Sequence, residues 1–188
     1  MRDEGRGAST ELGPSIRLAF DYVRQVFKET AQLMTRLDDL MGAEWQSCYG
    51  NTITKDLSRD LQRPGDWLAR GCFGLYEREG KPGVRKGMTV VYVGRGIEQP
   101  ILIGGRLDYV LADGTGAPVA SDHWDLRNAW FEAGPEDKTV DGTVYRVELG
   151  EAALREHVEA ARVFAIPLVS VGSEDDIRIE VYDRLIDL

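Results

Sequence analysis

The chain has 188 residues and a formal net charge of −9, from 32 acidic and 23 basic side chains. That balance is ill suited to nucleic acid, where phosphate neutralisation supplies most of the affinity. The length fits one domain with a proper core, and no run of eighteen apolar residues could span a bilayer.

Residues 1–13 are polar and glycine-bearing, without the apolar stretch of a secretory signal. They read as a flexible tail on a cytoplasmic protein. Two cysteines, Cys48 and Cys72, separated by 24 positions, indicate neither a disulfide framework nor a zinc knuckle.

Pro14 to Met41 is the strongest periodic signal. Ile16, Phe20, Val23, Phe27, Thr30, Met34, Leu37 and Met41 recur in steps of four and three, holding one helical face for four heptads. With Phe20 at heptad position a, the apolar row Ala19, Val26, Leu33 and Leu40 falls at g, where a two-stranded coiled coil wants charge. Three apolar positions in seven suit a globular core or bundle, so packing on the chain's own sheet is preferred. The helix would be about 42 Å long, more than the ~17–20 Å of an average strand. One end is therefore expected to overhang, and a homo-oligomer formed through the 14–41 helix is the other partnership the seam allows. Gly42 is a suitable stop.

Thr54 to Leu61 reads as a short helix before Pro64, with Lys55, Arg59 and Arg63 on one face. The pattern then turns to strands: Cys72–Glu77, Met88–Val93 and Ile101–Leu111, the last carrying Gly104-Gly105 as a bulge or tight turn. Asp113-Gly114 and Asp141-Gly142 are hairpin dipeptides. Asp125–Phe131 and Thr143–Leu149 read as further strands, the latter pairing with the preceding arm of its hairpin. Glu151 to about Ala161 reads as a second amphipathic helix. Val163–Val171 follows as an edge strand because of Pro167, and Ile177, Ile179 and Val181 as a half-exposed strand. The expected fold is α+β: a long N-terminal helix packed on a mostly antiparallel sheet of about seven strands, with a second, shorter helix before the last two strands.

Few chemical motifs survive inspection. Gly94-Arg95-Gly96 follows a strand, but Gln99 and Pro100 deny it the third glycine and the helix of a dinucleotide site. Gly80-Lys81 runs into Pro82 and makes no P-loop. Asp122-His123-Trp124-Asp125 remains: two carboxylates and an imidazole within four residues could hold a metal or form a general-base pair. Asp122, His123 and Asp125 are the catalytic candidates, with Arg95 and Arg106 as basic helpers and Cys48–His123 as a weaker nucleophile pair. The plainer reading is a turn with His123 half exposed. His157, the other histidine, has no partner in its own segment. No cofactor or metal is expected.

Charge is segregated, since residues 107–188 hold 18 acidic and 7 basic side chains. Glu151, Glu156, Glu159, Glu174, Asp175 and Asp176 are the expected partner-binding residues of an acidic face aimed at a basic protein. Two functional classes follow. The favoured one is a non-enzymatic interaction module, an accessory subunit, adaptor or inhibitor of a cytoplasmic microbial assembly. The alternative is a small hydrolase or nuclease-like enzyme built on the Asp-His-x-Asp cluster.

Overall fold

The computed structural model describes residues 7–55, 57–94, 96–113, 116–149 and 153–188. It divides into two compact units between Thr35 and Arg36.

The first unit is helix alone. α1 spans Gly7–Met41, so it has already begun at Gly7, ahead of the expected start. The rest of the expected tail, residues 1–6, lies outside the described residues. Pro14 is inside the helix, where its missing N–H removes one i→i−4 bond. The last six residues of α1, Arg36 to Met41, belong to the second unit, where Leu37 and Met41 are buried. α1 stops at the expected place: Gly42 takes φ 63°, a conformation that glycine adopts without a Cβ clash.

The second unit is built on one antiparallel sheet of six strands: β1 Trp45–Ser47, β2 Gly71–Arg78, β3 Lys81–Val91, β4 Ile101–Tyr109, β5 Tyr145–Val147 and β6 Val158–Pro167. Their order is β1-β2-β3-β4-β6-β5. The fold is α+β as expected, with six strands where about seven were expected.

The departures have local causes. Asp125–Phe131, expected as a strand, is a helix, α2. Leu126, Ala129 and Trp130 are its buried apolar residues, and their 3-then-1 spacing is helical. Thr54–Leu61, expected as a helix, is loop and turn, with Asp56 outside the described residues. There the Ser58 hydroxyl accepts from the Asp60 N–H and Asp60 accepts from the Gln62 N–H, side-chain bonds that compete with a helical ladder. Lys55, Arg59 and Arg63 therefore share no helical face.

The expected second helix, 151–161, reduces to a 3-10 turn at Ala153–Glu156. Val158 and Ala161 are instead in β6, which lies inside the sheet between β4 and β5 with Pro167 as its terminal residue. β5 pairs with β6 rather than with a preceding arm. The expected strand at 177–181 is helical too. Glu174–Asp176, Ile177–Asp183 and Arg184–Asp187 run on as one final helical segment, α-helical at its ends and π-helical between. Ser173 and Asp176 form a capping box at its start, and Ile177, Val181 and Leu185 bury at intervals of four.

Gly104-Gly105 is neither bulge nor turn, for β3, β4 and β6 stay in register through it. A Cβ on Gly104 would stand 2.3 Å from the Phe164 ring, so the glycine admits an aromatic ring from the next strand.

α2 covers one face of the sheet, packing with Leu107, Tyr109, Ala161, Val163 and Ala165. The final helical segment lies on the other. On that side Lys86, Arg106 and Arg162 stand directly opposite one another across β3, β4 and β6. Like charges so placed repel. Here Lys86 donates to the Ile186 carbonyl, and Arg106 and Arg162 to that of Leu188. Three cations thus meet carbonyls at the C-terminal end of the helical segment, where its dipole is negative. Burial, then the Arg106 and Arg162 guanidiniums, holds the Lys86 ammonium below its ordinary pKa.

Candidate functional site

The polar cluster expected at 122–125 opens α2, on the sheet face that α2 covers. Asp125 is only 1% exposed. Its Oδ2 accepts from the Tyr109 hydroxyl at 2.7 Å and from the Asp122 backbone N–H at 2.7 Å. Its Oδ1 lies 3.0 Å from His157 Nε2. One buried carboxylate therefore joins the start of α2 to the end of β4 and the approach to β6. Burial, then the Asp125 charge, raises the Tyr109 pKa, so the phenol remains a donor. Arg85 lies over the Tyr109 ring, 4.9 Å from its centroid, and pairs with Glu77 at 3.6 Å.

His123 differs from expectation. It is 8% exposed rather than half exposed, packed among the rings of Phe73, Trp124 and Tyr49 at 4.7, 5.0 and 6.4 Å. Its Nδ1 is 3.3 Å from Asp122 Oδ1. The histidine that meets Asp125 is His157, 32 residues away. Sequence spacing could not reveal that pair; the scarcity of histidine, two in the chain, was the only hint.

The other site candidates separate. Arg106 is on the opposite sheet face, bonded to Asp108, and Arg95 lies outside the described residues. Both cysteines are free thiols. Burial pushes the Cys48 thiol up to about 11, so at neutral pH it is protonated and a poor nucleophile. Among the described residues, no three His, Cys, Asp or Glu side chains converge as a metal ion would require.

The expected acidic face is dispersed. Glu151 lies outside the described residues. Glu156 and Glu159 are exposed near the start of β6. Glu174, Asp175 and Asp176 come after its far end, a strand length of about 26 Å at ~3.3 Å per residue. Glu174 pairs with Arg36 at 3.1 Å. Asp176 accepts from Ser173 and Gly172 in the cap.

α1 shows apolar side chains on its surface. Leu12, Ile16 and Phe20 are 62%, 50% and 60% exposed, and Leu18 and Tyr22 are exposed as well. No helix among the described residues is long and apolar enough to cross a membrane.

Compared with models of known protein families, with curated proteins and with solved structures, the chain matches none.

Proposed function

We propose that this protein is a non-enzymatic interaction module, an accessory subunit, adaptor or inhibitor in a cytoplasmic assembly, with α1 as its docking element. The observation that carries the reading is the exposed apolar row of α1, with Ile16 and Phe20 on the seam and Leu12 on the g edge beside it. A lone helix gains little from propensity and takes its stability from burying an apolar face. Contiguous exposed apolar surface of this kind marks interaction sites. Glu156 and Glu159, exposed near the start of β6, supply negative charge suited to steering a basic region of the partner. The test is Phe20→Asp in the full chain. Unchanged thermal unfolding with loss of every specific association supports the module. Unfolding of the whole protein, or associations that persist, rejects α1 as the docking element.

A second reading rests on the Asp125–His157 pair. With Nε2–H donated to the buried carboxylate, Nδ1 is left as an acceptor, the arrangement of an oriented general base. A hollow of about 440 Å³ bordered by Val110, Arg155, Val158 and Glu159 opens beside the start of β6. This supports the hydrolase alternative with His157 in place of His123. A hydrolytic activity abolished by His157→Gln in a folded protein would establish it.

A further inference from the structure

The edges of the exposed seam differ in chemistry, and the difference bears on what can lie along it. In the heptad frame, Ala19 and Val26 occupy the g edge, while Arg17 and Arg24 occupy the e edge. Both arginine side chains are open to solvent, 87% and 83% exposed. Both share the carboxylate of Asp21, at 3.6 and 3.9 Å. Such exposed contacts contribute little and yield readily to better partners.

A second copy of this chain fits poorly. In an antiparallel pair, e residues face e residues. The register that stacks Phe20 on Val23 of the other copy, and Phe27 on its Ile16, brings Arg17 against Arg24 twice along the e edge. The register that would set Arg17 opposite Asp38 needs Leu37 and Met41 in the seam. Leu37 is 0% exposed, Met41 is buried, and Asp38 already accepts from the Tyr76 hydroxyl. In a parallel pair, e faces g, so Arg24 meets Ala19 and finds no charge. Among the described residues, neither the antiparallel nor the parallel pairing gives either arginine a counter-charge while Leu37 and Met41 stay where they are.

We infer that the occupant of this face is a partner helix whose apolar stripe is bordered by acidic residues, and that Arg17 and Arg24 select it. The inference rests on the reading of α1 as the docking element and adds the chemistry of the partner. The small Ala19 and the apolar Val26 let the partner backbone approach along one edge, while carboxylates engage the guanidiniums along the other. Like-charge juxtaposition on the arginine edge turns away basic helices.

The experiment uses the full chain and two synthetic helical peptides with the same Leu/Ile stripe, one flanked by Glu and the other by Lys. Binding is followed by fluorescence anisotropy, and the chain alone by sedimentation. The Glu peptide should bind about tenfold or more tighter than the Lys peptide. The double variant Arg17→Glu/Arg24→Glu should invert the order, and Phe20→Asp should lose both peptides while retaining its melting temperature. Equal binding of the two peptides that is lost in Phe20→Asp overturns the acidic-helix inference and leaves the docking role standing. Binding of neither peptide overturns both. Dimerisation of the chain alone that is lost in Phe20→Asp makes a second copy the occupant and overturns the inference.

Discussion

The imidazole of His157 stands 3.0 Å from the carboxylate of Asp125, a group 1% exposed to solvent. The same carboxylate takes the Tyr109 hydroxyl and the Asp122 N–H. Replacing Asp125 by alanine strands a buried phenol and an imidazole. The expected loss is about 2–4 kcal/mol, since each orphaned buried polar group costs ~1–3 kcal/mol. Urea unfolding at neutral pH measures it, and a loss below ~1 kcal/mol would mean that water replaces the carboxylate.

His123→Ala tests the neighbouring histidine. Because its ring is packed against Phe73 and Trp124, the variant should lose about 1–3 kcal/mol through the cavity it leaves. A half-exposed loop histidine would cost next to nothing.

Two aspartates on one helix should behave oppositely. Leu37→Asp places a charge where exposure is 0% and should cost several kcal/mol, enough to unfold a domain of ~5–15 kcal/mol total stability. Phe20→Asp, at a position 60% exposed, should leave the melting temperature within about 2 °C, as most surface changes stay within ~0.5 kcal/mol.

Alkaline titration has a definite sign. The Cys48 thiol is raised by burial from 9.0 to about 11. Between those values the unfolded chain releases its proton while the folded chain keeps it, so stability falls as pH rises from 9 to 11. Cys48→Ala should flatten that part of the profile. Tyr49 and Cys72 are raised in the same direction by burial, so some slope will remain.

Gly104→Ala should be disruptive, by about 1–3 kcal/mol or more for an overpacked core, because its Cβ would meet the Phe164 ring at 2.3 Å. Phe164→Leu in the same chain should recover part of the loss. A full additive loss in the double variant would show that the ring is not the obstacle.

The legibility of this fold in its sequence follows the range of the interactions involved. β2, β3 and β4 could be read because aromatic residues in β2, β-branched ones in β3 and β4, and the turns between them are local signals. The helical stop at Gly42 depends on one residue's dihedral preference. The failures at 125–131 and 177–181 came from short apolar runs in which helix and strand periods overlap. In the second, the capping box of Ser173 and Asp176 is visible as Ser-x-x-Asp, yet the same carboxylates also suit the acidic partner-binding face expected there. At the site, Asp122, His123 and Asp125 were legible as a cluster. The partnership of Asp125 with His157 was not, because it is made by β4–β6 pairing and no local pattern encodes it.

The contacts of Lys86, Arg106 and Arg162 with the Ile186 and Leu188 carbonyls bear on how the protein comes apart. Peeling the final helical segment away would leave three cations on neighbouring strands facing one another with fewer acceptors. Local fraying is thereby coupled to rupture of the sheet, and the two should open as a single foldon. In native-state hydrogen exchange, the amides of Val181 and Leu185 should then report the same opening free energy as those of Leu107 and Val163. Neutralising Arg162 with methionine should relieve the repulsion and uncouple them, so that the helical amides exchange first.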